Sequence, residues 1–247
     1  MTRGILIAGN ESSLYSAVAA EAVKRVESFA SAVIPNRLPL PEGGTSRPPR
    51  AESSGGAISL PWNPASPISA RAMVLAAENR LTQINDAIVI CSPPAVFKTA
   101  DALLPEEIET MVSDHIKGWF FLIRELSLYF RRAGSGTLSL IVSESGKDAL
   151  DGEGGINAFG LNARNVNSWG KNNPADLLGA SASASFRAFA QGVLASPENE
   201  HYQVKGFTTS EAGAETDFAA WLFKILDEGA GKNSGRWQKF SRRKFFG

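Results

Sequence analysis

Few side chains in this chain of 247 residues can do acid–base or nucleophilic chemistry near neutral pH. There are two histidines, His115 and His201, one cysteine, Cys91, and three tyrosines, Tyr15, Tyr129 and Tyr202. His115 is a candidate general base, because an imidazole titrates near neutrality. It falls in a helical pattern on the face of Met111, Val112 and Trp119, where the competing role is that of a buried structural histidine. His201 falls in a loop before a strand pattern. Two histidines and one cysteine scattered in this way supply neither a metal site nor a disulfide framework. The last sixteen residues, 232–247, hold six basic and no acidic side chains among several aromatics. Such interleaving can bind nucleic acid or anionic surfaces. The chain as a whole has zero net charge, so residues 1–231 are acidic by six charges. An acidic body with a basic tail favours a tail lying on acidic surface of its own or a neighbouring subunit, and a nucleic-acid ligand is not expected.

The elements that must position these groups alternate regularly. Gly4 to Gly9 reads as a buried strand, because Ile5, Leu6, Ile7 and Ala8 form the continuous apolar run of a parallel strand covered on both faces. Asn10, Ser12 or Ser13 can cap the helix that follows, with Leu14, Val18, Ala22 and Val26 spaced by fours. Phe29 to Ile34 reads as a second strand. Residues 35–67 then hold eight of the thirteen prolines, and no regular helix fits between 38 and 56. Ala57 to Trp62 reads as a brief strand inside that Pro/Gly-rich insertion. The pattern continues with a helix over Ser69 to Ile84, a strand over Asp86 to Cys91 and one long helix over Pro105 to Arg132. Pro105 opens that helix and Gly134 stands just past its end. A strand over Leu138 to Val142, a helix over Pro174 to Leu194 capped by Asn173, a strand over Tyr202 to Phe207, and a helix over Thr216 to Glu228 follow. Arg236 to Phe240 reads as the last strand, with a tail from Arg242 to Gly247. This is a single α/β domain spanning 1–247, a doubly wound parallel sheet of about seven strands with helices on both faces. A composition of 43% hydrophobic and 20% charged residues is enough for a packed core. No apolar run is long enough to span a bilayer, and a cytoplasmic location is the default expectation.

The order of elements resembles the short-chain dehydrogenase/reductase family. The block that carries the likeness is Asp86-Ala-Ile-Val-Ile-Cys-Ser92, the helix through His115-Ile-Lys-Gly-Trp-Phe-Phe-Leu-Ile-Arg124, and Gly134-Ser-Gly-Thr-Leu-Ser-Leu-Ile-Val-Ser143. The resemblance implies a Rossmann-like fold and an NAD or NADP site built from Gly9, Asn10, Ser12, Ser13, Arg37 and Ser92. It further implies a catalytic serine at Ser143, with Ser145 as a neighbour, and places His115 where the family's asparagine stands. Several motifs depart from the pattern. The family's three-glycine loop reads Gly9-Asn-Glu-Ser-Ser-Leu-Tyr15, so only the first glycine remains. Tyr15 stands where the family has no side chain, and Glu11 adds a carboxylate beside a would-be diphosphate. The helix expected after the second strand is replaced by the 35–67 loop. The family's tyrosine, and the lysine four residues on that lowers its pKa, align with Gly179 and Ser183. None of the three tyrosines has a lysine four residues later.

These departures lead to the expectation of a binding or structural subunit without standard catalysis, and no cofactor is expected. The alternative is an NAD(P)-dependent oxidoreductase with a non-standard site in which His115, Ser143 or Tyr202 moves the proton. A Ser143–His115 pair has no identifiable orienting acid. The helices at 105–132 and 174–194 are expected to pair subunits, in a homo-oligomer or beside an active relative. Phe121 and Leu128 lie off the main apolar stripe of Ile108, Val112, His115, Trp119, Ile123, Leu126 and Phe130. The small residues from 179 to 185 are expected to leave open space where the tyrosine and lysine would stand.

Overall fold

A computed structural model describes residues 3–25, 29–34, 57–143, 176–196, 202–209, 213–228 and 235–242. It contains seven parallel strands: β1 Ile5–Asn10, β2 Phe29–Ile34, β3 Ala57–Ser59, β4 Asp86–Cys91, β5 Thr137–Ser143, β6 Gln203–Thr209 and β7 Trp237–Lys239. Their order across the sheet is β3-β2-β1-β4-β5-β6-β7. The helices are α1 Ser13–Arg25, α2 Pro67–Leu81, α3 Pro105–Val112, α4 Gly118–Ala133, α5 Leu177–Leu194 and α6 Glu215–Asp227.

The strands of the inner sheet are buried on both faces, as their unbroken apolar runs require. Alternation along β1 divides the core in two. Leu6 and Ala8 join the layer under α2, α4 and α5, while Ile5 and Ile7 join the layer under α1 and α6. Asn10 continues the first series and Gly9 the second. Chain order reverses between β1 and β4, so the carboxyl ends of these two strands open the crevice in which folds of this class bind ligands.

Local chemistry sets the helix starts. Ser66 caps α2 by accepting from Ser69 N at 3.3 Å, with Pro67 in the first helical position. Pro105 opens α3, and the Glu107 carboxylate reaches back to Leu104 N at 3.0 Å. At the far end of α4, Gly134 N–H bonds Phe130 O at 2.9 Å.

The structure corrects several expectations. The single helix over 105–132 is two helices joined by a π turn, Ser113–Lys117. An extra residue in that turn offsets the buried face of α4 from that of α3, so Ile108, expected in one stripe with the α4 residues, is instead 42% exposed. Gly118 follows the turn directly. A Cβ there would lie 2.5 Å from Pro64 Cβ, so only a glycine lets the start of α4 approach the 61–64 segment this closely. That approach brings Trp62 to Trp119, with ring centroids 5.5 Å apart. The helix expected from Pro174 begins at Leu177 and is capped by Asp176; Asn173 lies outside the described residues. The helix expected over Ser69 to Ile84 runs from Pro67 to Leu81, and β6 is displaced toward its carboxyl end to Gln203–Thr209. Of the 35–67 insertion, residues 35–56 lie outside the described part. Residues 57–59 form edge strand β3, and Leu60 N extends its pairing to Ser31 O at 2.8 Å. At the C-terminus Arg242 bonds Asp217 at 2.7 Å and Gly213 O at 3.0 Å, so the first tail residue lies on the protein's own acidic surface. Among the described residues no helix is long and apolar enough to cross a membrane, and no group of three His, Cys, Asp or Glu is placed to hold a metal.

Candidate functional site

Three expected site residues meet at the β1/β4 crevice. Asn10, the last residue of β1, is buried with its side chain on the α4 side of the sheet. Its Oδ1 accepts from Ser92 N–H at 3.2 Å, just past the end of β4. Its Nδ2 lies 2.8 Å from His115 Nδ1 in the π turn. The first bond fixes the second. An amide oxygen committed to Ser92 leaves the amide nitrogen, a donor, facing His115, so Nδ1 must accept. The proton of the neutral ring then sits on Nε2, which is buried and has no hydrogen-bond partner among the described residues. Burial lowers the His115 pKa to about 4. At neutral pH the ring is therefore uncharged, its only acceptor nitrogen is held by Asn10, and what it offers is a donor. That geometry opposes its use as a general base, because a base must present a free lone pair to its substrate.

The turn into α1 holds the next group. Ser12 is the cap, accepting from Tyr15 N at 3.1 Å. Ser13 instead donates its hydroxyl to Glu215 Oε1 at 3.2 Å, tying the start of α1 to the start of α6. Gly9 serves packing. A Cβ at this position would lie 2.5 Å from Tyr15 Cδ2 and 3.2 Å from Ile90 Cβ, so the Tyr15 ring occupies the space the glycine leaves. The ring is buried between α1 and the sheet, and that burial pushes its phenol up to about 12, with Ser31 partly opposing. A dinucleotide diphosphate needs free N–H groups at this helix start and no nearby negative charge. Here Ser12 uses one N–H, Glu215 is bonded to Ser13, and Glu11 stands exposed in the turn.

Ser143 closes β5 opposite Thr209 of β6, half-buried. Ser145, Arg37 and His201 lie outside the described residues. On α5, Gly179 is in the first turn and Ser183 one turn later. A Cβ at Gly179 would lie 2.2 Å from Asp176 Oδ2, the end of the capping side chain. Asp176 was not anticipated as a site residue. Its Oδ1 accepts from Gly179 N and from Val96 N, both at 2.9 Å, and its backbone bridges Phe97. It therefore pins the loop after β4 to the start of α5. The sequence did hold a signal for it, an aspartate immediately before the first apolar residues of a helix. Glu215 was missed as well, and nothing in its own neighbourhood distinguishes it from an ordinary first-turn acid.

No family model matches the chain, and no curated protein matches it in sequence. Solved structures match it in shape over almost its whole length. A short chain dehydrogenase from Mycobacterium smegmatis superposes with a TM-score of 0.66 at 11% identity, covering 98% of this chain and 93% of that one. Levodione reductase gives 0.67 at 11% identity, covering 99% and 98%. A 3-ketoacyl-(acyl-carrier-protein) reductase from Brucella melitensis, complexed with NADH, gives 0.66 at 11% identity, covering 96% of each chain. The seven-stranded parallel sheet with helices on both faces is thus the fold of the short-chain dehydrogenases/reductases.

Proposed function

We propose that this chain, built on the short-chain dehydrogenase/reductase fold, is a binding or structural subunit that does not perform hydride transfer with a nicotinamide cofactor. The observation that supports this is the start of α5, where the Asp176 carboxylate accepts from Gly179 N–H at 2.9 Å at the position that aligns with the family's tyrosine. A tyrosine without its lysine, or a serine without either, has no route to an activated proton. The acidic start of α1 supports the same reading from the cofactor side. Titration with NADH and with NADPH, followed by fluorescence and by thermal shift, tests it: neither is expected to bind, and micromolar binding of either refutes it.

A second reading, an NAD(P)-dependent oxidoreductase acting on a carbonyl or hydroxyl substrate through a non-standard site, rests on the likeness to reductases solved with NAD or NADH. Turnover of a carbonyl panel that is lost in Ser143→Ala would favour it.

The same proposal includes self-association, with an active relative as the other possible partner. Phe120 and Phe189 stack at 4.2 Å across α4 and α5, each only partly buried. Beside them runs a groove of about 430 Å³ between Ser127, Phe189, Val193 and Tyr202, and Leu128 is 42% exposed. A second copy would cover this apolar surface. Light scattering is expected to show a dimer or larger, and a strict monomer refutes this part.

A further inference from the structure

We propose that the face around Leu104 and Ile108, at the start of α3, is the docking surface for the basic, aromatic tail of a second copy of this chain. The docking segment is residues 243–247, with Phe245 and Phe246 as its anchors. This rests on the self-association proposed above and names one of its contacts.

Nine large apolar side chains stand exposed among the described residues, and four of them, Phe97, Leu104, Ile108 and Leu177, gather at this one corner. The corner is held from beneath. Val96, Met111 and Ala182 form a small buried cluster with Leu103 and Leu178 packed on it, so the loop after β4, α3 and the start of α5 share one support. Asp176 accepts from Val96 N–H at 2.9 Å, its backbone bridges Phe97, and Leu177 follows it directly. Lys98 Nζ reaches Glu107 Oε1 at 2.8 Å and ties the same loop to α3. Leu104 and Ile108 are one helical turn apart and so share a face. Exposed apolar residues gathered on a fixed scaffold mark an interaction surface, whereas singly scattered ones do not.

The rim selects the occupant. Asp101 and Glu106 are exposed on either side of Leu104 in sequence, and neither is paired with a cation among the described residues. The nearby Lys98 is taken by Glu107. Two copies meeting face to face here would bring those carboxylates together, and like charges repel. A basic partner with apolar side chains fits instead. Residues 243–247, outside the described part, read Arg-Lys-Phe-Phe-Gly, two cations followed by two aromatic rings. The cations can meet Asp101 and Glu106 while the rings cover Leu104 and Ile108, and aromatic side chains commonly anchor such contacts. The tail comes from a second copy because of where it starts. Arg242 is bonded to Asp217 and to Gly213 O at the start of α6, on the opposite face of the sheet from α5. Phe246 is four residues further on, a reach of at most about 14 Å. The α6 and α5 layers are each about 10 Å thick with the sheet between them, so a tail from the same chain falls short. Two copies that exchange tails form a closed, symmetric pair.

The experiment is NMR on a mixture of two full-length chains. One carries a nitrogen isotope label. The other carries a nitroxide on Gly247→Cys, with Cys91 fully buried and so left unmodified. The amide signals of Phe97, Leu104, Ile108 and Leu177 in the first chain should fade selectively and recover when the nitroxide is reduced. High salt should weaken the effect, and Phe245→Ser with Phe246→Ser should abolish it. Leu104→Ser with Ile108→Ser should cut tail affinity by roughly tenfold or more, because two apolar contacts are lost. Both residues are exposed, so the fold survives the change. Absence of fading, or fading unaffected by the Leu104 and Ile108 changes, overturns the proposal. Fading that appears only when both labels are on one chain overturns it too, because the tail then docks within its own chain. Light scattering on the same sample reports separately on self-association: a dimer in which these signals do not fade keeps that reading and refutes the tail contact.

Discussion

The claim that Gly9 is held by packing can be tested with a double-mutant cycle on Gly9 and Tyr15. Gly9→Ala puts a Cβ 2.5 Å from Tyr15 Cδ2 and 3.2 Å from Ile90 Cβ. Ordinary carbon contacts lie near ~3.5–4.0 Å, so the ring must retreat by about 1 Å into a core layer with no slack. Overpacking of this kind costs about 1–3 kcal/mol. Tyr15→Leu removes most of a buried ring and costs on the order of 2–4 kcal/mol, since cavity terms add to the lost burial. In the double variant the new methyl occupies space that the ring has vacated, so the two losses do not add. The expected coupling is roughly 1–2 kcal/mol in favour of the double variant, with a residue left by the contact to Ile90. Urea unfolding measures it, with unchanged m-values confirming that midpoints report stability. Additivity within about 0.5 kcal/mol would refute the reasoning and return Gly9 to a ligand-binding role. A second signature separates the two roles: a glycine kept for a diphosphate would lose cofactor affinity on Gly9→Ala while stability barely moved.

Three further outcomes follow from the buried titratable groups. Since the folded pKa of His115 is about 4, below its ordinary value of 6.5, the unfolded chain binds that proton first, and stability present above pH 6.5 is lost as pH falls toward 4. Between pH 7 and pH 5 the loss is roughly 2 kcal/mol, and His115→Gln should flatten that part of the curve; an unchanged slope contradicts a buried neutral imidazole. Lys205 is 1% exposed on β6, and burial lowers its pKa, so its contribution to stability rises as pH climbs from that lowered pKa toward 10.5. Lys205→Met should abolish that rise and leave stability within about 1 kcal/mol of the original or above it; a loss of several kcal/mol would show that the ammonium is needed beside the ion pair that Arg3 makes with Asp86 at 2.6 Å. Cys91 is fully buried and its thiol is pushed well above the ordinary range. It should resist a disulfide reagent in the native protein and react only on unfolding; rapid labelling would contradict the packing of β4.

The sheet was legible because its cause is local. Runs such as Ile5 to Ala8 and Asp86 to Cys91 announce strands buried on both faces, and the helical repeats between them leave few alternatives to a doubly wound sheet. The π turn was not legible for an equally physical reason. Reading Pro105 to Arg132 by helical periodicity assumes one register throughout, and an inserted residue keeps the apolar content while moving the faces. Ile108 was therefore assigned to the core, and the separate role of His115 was hidden. Asn10 and Ser92 were identified as neighbours in a cofactor site, but their bonding to each other and to His115 depends on the register of β1 against β4. No local pattern carries that register. Asp176 failed differently: Asn173 and Asp176 both suit a cap, and the contact to Val96 N that favours Asp176 comes from eighty residues away.

The charge distribution follows from the same corner of the fold. In sequence it is a basic tail against an acidic body. In three dimensions its nearest expression surrounds the start of α6, where Glu215 bonds Ser13 at the head of α1 and Asp217 bonds Arg242. Two helix starts, two carboxylates and one guanidinium balance one another there without a ligand. Helix dipoles at this edge of a doubly wound sheet ordinarily favour an anion, and in this chain Glu215 supplies it from within. An incoming diphosphate would have to displace Glu215 from Ser13 and then lie beside Glu11. Tyr15, packed against Gly9, joins α1 to the sheet, and Glu215, bonded to Ser13, joins α1 to α6.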